Sequence, residues 1–318
     1  MRALITGVNG FVGLHLEELL KVQNIEVWGT SRIQSDIQDS SLNRVQLEFN
    51  NEEEIIKVLN DVKPDLIFHL AAQSSVKKSW DSITFTMESN VINAAVFYEA
   101  IRRSKIAEMT KVLSIGSSEE YGIVSADNIP IKENSFLNPI NPYGISKVSQ
   151  FMLAKLYASL GMNVVHVRPF NHIGPGQGLG FVTTDFSNQI AKVEAGMIEP
   201  IMSVGNLSAK RDFLDVRDIV RAYSQIIHSG IPGEAYNICS ASPLSISDVL
   251  DNLIKLSTYD IQVNTDESLL RNVDIPLYVG SNEKIKSLID WKQEIPIEKT
   301  LEDTLNFWRE KIQKERRV

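Results

Sequence analysis

Short apolar runs alternate with amphipathic helical patterns through the first half of the chain. The apolar runs predict strands at residues 2–6, 25–31, 45–48, 65–70, 111–116, 163–168 and 235–239. Apolar residues at helical spacing predict helices at 11–23, 52–60, 85–105, 143–160, 183–194, 215–228, 245–256 and from about 298 onward. Strands that alternate with helices are typical of a parallel sheet covered on both faces. We therefore predict an α/β fold with a doubly wound parallel sheet.

The pattern changes after Arg168. Residues 169–180 are dense in Gly and Pro and predict a loop. Helical patterns dominate the remaining chain, and the last one repeats Leu301, Leu305 and Trp308 on one face. We expect the second half to form a smaller C-terminal cap around the last strands, not a tethered independent domain.

Composition and charge exclude several classes of protein. The chain has 318 residues, of which 43% are hydrophobic and 23% charged, as in ordinary globular proteins. A net charge of −8 argues against nucleic acid as the main partner. No apolar run approaches the roughly 20 residues that span a bilayer, and the N-terminus lacks a signal-peptide layout. The single cysteine, Cys239, cannot form an intrachain disulfide. We expect a cytoplasmic protein without membrane segments.

A glycine-rich turn follows the first predicted strand and opens the first predicted helix. Gly7, Gly10 and Gly13 are spaced as in the turn that binds a dinucleotide in a doubly wound (Rossmann) sheet. The first allows a tight turn, the second a close approach of backbone to pyrophosphate, and the third close packing of helix on strand. The helix N-terminus then offers unpaired N–H groups to the phosphates. The sequence therefore predicts a nicotinamide dinucleotide site.

The end of the second strand indicates which dinucleotide is bound. NAD-preferring folds have an acidic side chain there, but this strand ends in Ser31 and Arg32. A guanidinium can hydrogen-bond a 2′-phosphate, so we predict NADP, with NAD possible. Arg32 would otherwise be an ordinary surface arginine. We assign cofactor contacts to Gly7, Asn9, Gly10, Phe11, Val12, Gly13, Ser31, Arg32, Glu48, Phe49, Leu70, Ala71, Ala72, Asn90, Tyr143 and Lys147.

A Tyr-x-x-x-Lys pair lies at the start of the helix predicted at 143–160. Tyr143 and Lys147 are four residues apart, so they share one helix face and can reach the same ligand. A free phenol has a pKa of about 10, and we expect the nearby ammonium to lower it. Ser117, at the end of the fifth strand, can orient a carbonyl oxygen. The set predicts carbonyl reduction in which Tyr143 donates the proton.

Glu119 leaves a second reaction open. A carboxylate beside a 4-keto sugar could remove the proton next to the ketone, or it could simply bind a sugar hydroxyl or solvent. We count Ser117, Tyr143, Lys147 and Glu119 as candidate catalytic residues. His69, His166 and His172 do not form a ligand pattern at metal spacing, and we expect no metal.

Four segments together resemble the extended short-chain dehydrogenases/reductases that act on nucleotide sugars. They are the glycine turn at 6–13, Ser117-Ser118-Glu119-Glu120-Tyr121-Gly122, Tyr143-Gly144-Ile145-Ser146-Lys147 and Arg168-Pro169-Phe170-Asn171-His172. The resemblance covers nearly the whole chain. It is greatest to the reductases of GDP-4-keto-6-deoxymannose, which implies a GDP-linked 4-keto-6-deoxyhexose as substrate and a homodimer held by four helices.

The resemblance also implies the substrate contacts. They are Ser117, Ser118, Glu119, Asn171, Arg211, Arg271 and Asp274. Arg211 and Arg271 would clamp the diphosphate, although Asn272 stands where the family has a proline. Because Glu119 falls at the position of the dehydratase glutamate, a GDP-mannose 4,6-dehydratase is the main alternative. A nucleotide-sugar epimerase or a non-catalytic NADP-binding regulator would have the same fold.

These assignments divide the chain into two parts. We predict an NADP-binding Rossmann domain from 1–168, completed by returning segments near 212–240 and 277–282. The remaining segments of 169–318 are predicted to form the substrate-binding domain.

Overall fold

The computed structural model describes residues 1–31, 43–269 and 275–316. Its strands are β1 (Arg2–Thr6), β2 (Glu26–Ser31), β3 (Asn43–Gln46), β4 (Leu66–His69), β5 (Lys111–Ile115), β6 (Asn163–Pro169), β7 (Asn171–Ile173), β8 (Ile201–Val204), β9 (Lys210–Asp215), β10 (Ala235–Ile238), β11 (Pro243–Ser245), β12 (Gln262–Thr265) and β13 (Leu277–Tyr278). Its α-helices are α1 (Phe11–Val22), α2 (Glu52–Val62), α3 (Val76–Asp81), α4 (Ile83–Met87), α5 (Asn93–Arg103), α6 (Pro142–Ser159), α7 (Val182–Glu194), α8 (Val216–Ser229), α9 (Ile246–Lys255), α10 (Glu283–Leu288) and α11 (Ile297–Glu315).

A seven-stranded sheet forms the centre of the fold. Its order is β10-β6-β5-β4-β1-β2-β3, and every neighbouring pair is parallel. All seven strands therefore end at one edge. The order reverses between β1 and β4, and ligands of doubly wound sheets bind in the crevice outside such a reversal.

Helices cover both faces of this sheet. On one face α1 and α8 pack together, and their side chains Leu16, Leu20 and Tyr223 share a buried core with the strands. On the other face α2, α5 and α6 enclose a second core that includes Phe97 and Tyr98. Burial on both faces explains why the strands are continuous apolar runs.

The smaller part of the fold follows β6. Strand β9 pairs with β7 and β13 in parallel and with β11 in antiparallel orientation, and β8 pairs with β12. Helices α7, α9 and α11 pack around these strands, and Phe186, Ile190, Leu250, Leu301 and Leu305 belong to their shared core. The predicted one-sided apolar face of α11 is therefore confirmed.

Several elements differ from the sequence prediction. The predicted helix 85–105 is interrupted by a π-helical turn at Glu88–Ile92 between α4 and α5. The predicted loop 169–180 contains β7, because Asn171–Ile173 pairs with β9 about 40 residues later. Segment 277–282 begins with β13, which pairs with β9 in the smaller sheet, and the division into two domains stays a prediction.

No helix in the described ranges is long and apolar enough to cross a membrane.

Candidate nucleotide and active site

The glycine turn links the end of β1 to α1. Gly7 has φ +71°, and a Cβ there would lie 3.0 Å from Ala71 Cα. A Cβ on Gly13 would lie 2.4 Å from the Val8 carbonyl oxygen. Gly10 is the N-cap of α1 and makes no side-chain cap hydrogen bond. The turn after β1 thus approaches the backbone that follows β4. It also leaves the N-terminus of α1 without a side-chain cap, which fits a pyrophosphate.

The ends of β1 and β4 are joined beside this turn. Thr6 Oγ1 accepts a hydrogen bond from Ala71 N (3.0 Å) and contacts His69 Nδ1 (3.0 Å). Leu70, Ala71 and Ala72 follow at the sheet edge and are partly exposed. These predicted cofactor residues line the crevice at the strand reversal.

Phe11 faces the smaller part of the fold. Its ring is stacked on His172, with 6.1 Å between centroids and 2° between planes. His15, one turn later on α1, contacts the Pro175 carbonyl oxygen through Nε2 (2.9 Å). Phe11 therefore packs against β7, and His15 contacts the loop that follows β7. Asn9 and Val12 lie in the glycine turn.

Asn90, a predicted cofactor residue, lies in the π-helical turn and is fully buried. Its Oδ1 accepts from Gln73 N (2.7 Å), while its Nδ2 donates to Gln73 O (2.9 Å) and Ser146 Oγ (3.0 Å). These hydrogen bonds hold the loop after β4 onto α6, and the contact of Asn90 with a cofactor stays a prediction.

The residues predicted around the adenosine are distributed differently. Glu48 is exposed, whereas the Phe49 ring packs in the core against Phe97 at 5.2 Å between centroids. A ligand can therefore meet Phe49 only through its backbone. Ser31 is buried at the end of β2. Arg32, the basis of the NADP prediction, lies outside the described residues.

Tyr143, Lys147 and Ser117 converge at the end of β5. Tyr143 and Lys147 are 8% and 3% exposed, and Lys147 Nζ lies 5.8 Å from the Tyr143 ring centroid. The Ser117 side chain lies close enough to the Tyr143 phenol to lower its pKa, and Ser117 Oγ accepts a hydrogen bond from Glu119 N at 3.2 Å. A Cβ on Gly144 would lie 2.6 Å from the Glu119 carbonyl oxygen, so this glycine allows the start of α6 to approach the loop after β5.

Lys147 is held in place by two acceptors. Its Nζ donates to the Ile115 carbonyl oxygen and to Gln150 Oε1, both at 2.8 Å. Burial lowers the pKa of Lys147 to about 8, and Glu120 opposes that shift. The ammonium is therefore fixed at the end of β5, where it would be within reach of a ligand that contacts Tyr143.

The prediction that the pKa of Tyr143 is lowered is wrong. Burial raises the pKa of the phenol above its ordinary value, and the charges of Glu119 and Glu120 add to the shift. The Ser117 side chain opposes the shift. Tyr143 thus keeps its proton through the neutral and mildly alkaline range, which is the form that donates a proton.

Glu119 lies on the 3-10 turn Ser118–Glu120 and is partly buried. Its Oε2 accepts a hydrogen bond from Asn141 Nδ2 (2.8 Å), and Asn141 Oδ1 accepts from Gly144 N (2.8 Å). Asn141 thus caps α6 and orients Glu119 at the same time. No pattern in the sequence indicates the contact between Asn141 and Glu119, since the two residues are 22 positions apart.

Two of the predicted substrate residues, Asn171 and Arg211, lie on the adjoining small sheet. Asn171 on β7 is exposed, and its Nδ2 contacts the Asp212 carbonyl oxygen at 3.4 Å. Arg211 on β9 donates to the Ile275 carbonyl oxygen (2.6 Å) and pairs in register with Tyr278. Arg271 and Asp274, the predicted partners of Arg211, lie outside the described residues.

Tyr278 connects the small sheet to the catalytic loop. Its hydroxyl donates to the Ser118 carbonyl oxygen at 2.5 Å and is buried. No pattern in the sequence indicates this contact, because the two residues are 160 positions apart. It brings β9 and its arginine to the loop that carries Ser117, Ser118 and Glu119.

His69 and His166 are buried and His172 is partly buried, and each of the three contacts a protein group. Burial lowers the pKa of His69 to about 3 and also lowers the pKa of His166 and His172. The described residues contain no group of three or more His, Cys, Asp or Glu side chains placed to hold a metal ion.

Comparison with known proteins identifies the family. A family model described as GDP-mannose 4,6 dehydratase matches residues 4–304. The chain belongs to this family. GDP-6-deoxy-D-mannose reductase of Pseudomonas aeruginosa is 29% identical, covering 99% of each chain. GDP-mannose 4,6-dehydratase of Vibrio cholerae is 26% identical, covering 93% of this chain and 91% of its own.

A solved structure is similar over the same length. The structure of RMD from Pseudomonas aeruginosa complexed with NADPH has a TM-score of 0.86 and 28% identity, covering 98% of this chain and 99% of that chain. These similarities confirm the predicted doubly wound fold and the resemblance to nucleotide-sugar reductases. They also confirm that the protein is an enzyme of this group.

Proposed function

We propose that the protein reduces the 4-keto group of GDP-4-keto-6-deoxy-D-mannose to GDP-D-rhamnose with NADPH, and that Tyr143 donates the proton. The observation that carries the proposal is the convergence of the Ser117 side chain and the buried Tyr143 phenol beside the fixed ammonium of Lys147. Whole-length similarity to a GDP-6-deoxy-D-mannose reductase supports the choice of substrate.

Each catalytic side chain has a separate role in this reaction. When bound, NADPH supplies the hydride that reduces the carbonyl carbon. Tyr143 transfers its phenolic proton to the carbonyl oxygen and regains one from solvent, while Ser117 hydrogen-bonds that oxygen and fixes its orientation. The Lys147 ammonium favours the phenolate that forms and can hold a ribose hydroxyl.

The proposed cofactor is NADP, with NAD as the alternative. The glycine turn, the uncapped start of α1 and the partly exposed Leu70-Ala71-Ala72 segment support a dinucleotide. NADPH bound to the similar P. aeruginosa structure supports the phosphorylated form. Ser31 and Arg32 remain the predicted contacts of the 2′-phosphate.

The proposed nucleotide-sugar site lies between the catalytic loop and the small sheet. Ser117, Ser118 and Glu119 would contact the sugar, and Asn171 and Arg211 would contact the diphosphate. The contact between Tyr278 and Ser118 supports this arrangement, since it joins the two groups of residues. Arg271 and Asp274 are proposed to complete the clamp.

GDP-mannose 4,6-dehydratase activity is the second candidate. Its support is the Glu119 carboxylate, which Asn141 orients 2.8 Å away and which follows the catalytic serine by two positions. In that reaction Glu119 would remove the proton next to the ketone. An epimerase and a non-catalytic NADP-binding regulator remain further alternatives.

A panel of substrates tests the assignment. We expect purified protein to oxidise NADPH with GDP-4-keto-6-deoxymannose, more slowly with NADH, and more slowly with UDP- and dTDP-4-keto sugars, because a 2′-phosphate and a GDP group are the proposed determinants. NADPH absorbance is the measurement. Conversion of GDP-mannose to its 4-keto product without net cofactor consumption would assign the dehydratase reaction. NADPH that is bound but never consumed with any sugar would support the regulator.

The pH profile tests the role of Lys147. Its pKa of about 8 lies below the ordinary lysine value, so the ammonium is present at neutral pH and is lost as pH rises through about 8. We expect kcat/KM to fall over that range, while the raised pKa of Tyr143 keeps the proton donor intact. Replacing Lys147 by Arg retains the charge and should move the decline to higher pH. A profile flat to strongly alkaline pH would contradict the role.

A homodimer and a cytoplasmic location stay predictions. In support of the homodimer, Ile145, Met152 and Leu156 form a half-exposed apolar stripe on α6. Phe85 and Ile92 are similarly exposed on the adjacent helical segment before α5. Two copies of this surface would form the four-helix interface that the family resemblance implies.

A further inference from the structure

Glu120 is a buried carboxylate that the proposed mechanism does not use. It is fully buried, next to Glu119 but directed away from it into the protein. Its Oε1 accepts from Ser117 N (3.0 Å) and from His166 Nε2 (2.9 Å), and its Oε2 accepts from Arg168 Nε (2.6 Å). The carboxylate therefore ties two residues of β6 to the backbone of the catalytic serine.

The partners of Glu120 are themselves fixed. Arg168 donates to the Tyr121 hydroxyl (3.1 Å) and to the Glu133 carbonyl oxygen (3.2 Å). Its guanidinium lies 4.5 Å from the Phe151 ring centroid and 4.9 Å from the Tyr121 centroid. The second nitrogen of His166, Nδ1, contacts Ser114 Oγ at 3.0 Å. These contacts hold the Glu120 carboxylate in one position, and they therefore also fix the Ser117 amide that donates to it.

The strand end leaves room for this carboxylate. A Cβ on Gly116 would lie 2.1 Å from Glu120 Oε1 and 2.2 Å from His166 Nε2. Burial alone would raise the pKa of Glu120, but His166 and Arg168 lower it, so the group is ionised. Glu120 is therefore an ionised, hydrogen-bonded carboxylate, and the missing side chain of Gly116 leaves the space that it occupies.

We propose that Glu120 is a positioning residue for the reaction: it fixes the Ser117 amide and thereby holds the Ser117 side chain beside Tyr143. Glu120 has no exposed surface, so it acts through Ser117 and does not touch the substrate. A buried ion pair is often no more stabilising than an apolar substitute. In addition to its ion pair with Arg168, the Glu120 carboxylate accepts a hydrogen bond from the backbone of Ser117, which lies beside the proton donor Tyr143. The inference rests on the proposed reduction.

The substitution Glu120→Gln tests the role in a double-mutant cycle with Ser117→Ala. An amide cannot accept from both Arg168 Nε and Ser117 N on its two sides, so one contact is lost. We expect kcat to fall on the order of tenfold, because small displacements of catalytic groups slow the chemical step. In the Ser117→Ala background the same change should have little further effect on kcat. Equal losses in both backgrounds would overturn the proposal.

Glu17→Gln is the matched control. Glu17 is also a buried glutamate paired with an arginine, since Arg44 Nη2 lies 2.6 Å from its Oε2, but it joins α1 to β3. Both single variants should lose a similar amount of thermal stability. Only Glu120→Gln should lower kcat at saturating NADPH and increase the primary isotope effect from deuterated NADPH. A fall in kcat of the same size in Glu17→Gln would assign the effect to general stability.

Hydrogen exchange gives a result that does not depend on turnover. In Glu120→Gln, peptides covering residues 114–121 should exchange faster than in the wild type, and those peptides should be unchanged in Glu17→Gln. Unchanged exchange in Glu120→Gln would overturn the proposed role of Glu120 in fixing Ser117, even if activity falls. If the wild type reduces no sugar, the proposed function fails, while this comparison still reports whether Glu120 fixes Ser117.

Discussion

Replacement of Tyr143 by Phe is expected to lower kcat on the order of 10²- to 10⁴-fold, the range typical of a lost general acid. The change removes one oxygen atom, the phenolic oxygen beside the Ser117 side chain. The aromatic ring, which is buried and lies beside Lys147, stays. We therefore expect little change in NADPH affinity, and the loss should appear in kcat and kcat/KM equally. NADPH absorbance and equilibrium binding measure the two quantities.

Tyr157→Phe is the control on the same helix. Tyr157 is also buried, and its hydroxyl donates to Glu99 Oε2 at 3.2 Å near the other end of α6. Its loss should change stability slightly and leave kcat unchanged. Full turnover by Tyr143→Phe would remove the proposed proton donor, and a parallel loss in both variants would point to damage to α6.

The main sheet could be predicted from the sequence because its signals are local. Strand β1 has the predicted bounds, and the ends of the other six strands of the sheet differ from the prediction by at most two residues. An apolar run buried on both faces is readable without knowledge of its neighbours. The glycine turn and the Tyr-x-x-x-Lys pair are local as well, so their arrangement around the sheet edge follows from the order of the elements.

The small sheet could not be predicted, because its strands are defined by distant partners. Strand β7 is three residues long and β13 two, and both are strands only through their pairing with β9. The same holds for the contacts of Tyr278 and Glu120. Each is a single side chain whose role depends on a backbone group far along the chain or on another strand.

One error at the site has a physical cause. The pKa of Tyr143 was predicted to fall because of a nearby cation. Burial has the larger effect, and a sequence shows which charges are near but not how far a phenol is removed from water.

Replacement of Gly13 by Ala is expected to weaken NADPH binding on the order of 10- to 100-fold, which corresponds to about 1.4 to 2.7 kcal/mol. The added Cβ would lie 2.4 Å from the Val8 carbonyl oxygen and 2.7 Å from the Gly7 carbonyl oxygen. Both are backbone atoms, so the turn itself must move, and such overpacking costs about 1–3 kcal/mol. Because the turn carries the N–H groups offered to the pyrophosphate, its displacement should reduce affinity for the cofactor. Binding and thermal unfolding measure the two effects.

Gly178→Ala separates a specific effect from a general one. Gly178 lies in the loop after β7, where an added Cβ meets nothing within 4 Å. The substitution makes the same chemical change without a collision, so NADPH affinity and stability should both stay near those of the wild type. If Gly13→Ala bound NADPH as tightly as Gly178→Ala while losing stability, the turn would be a packing element only. The cofactor would then have to bind elsewhere along the sheet edge.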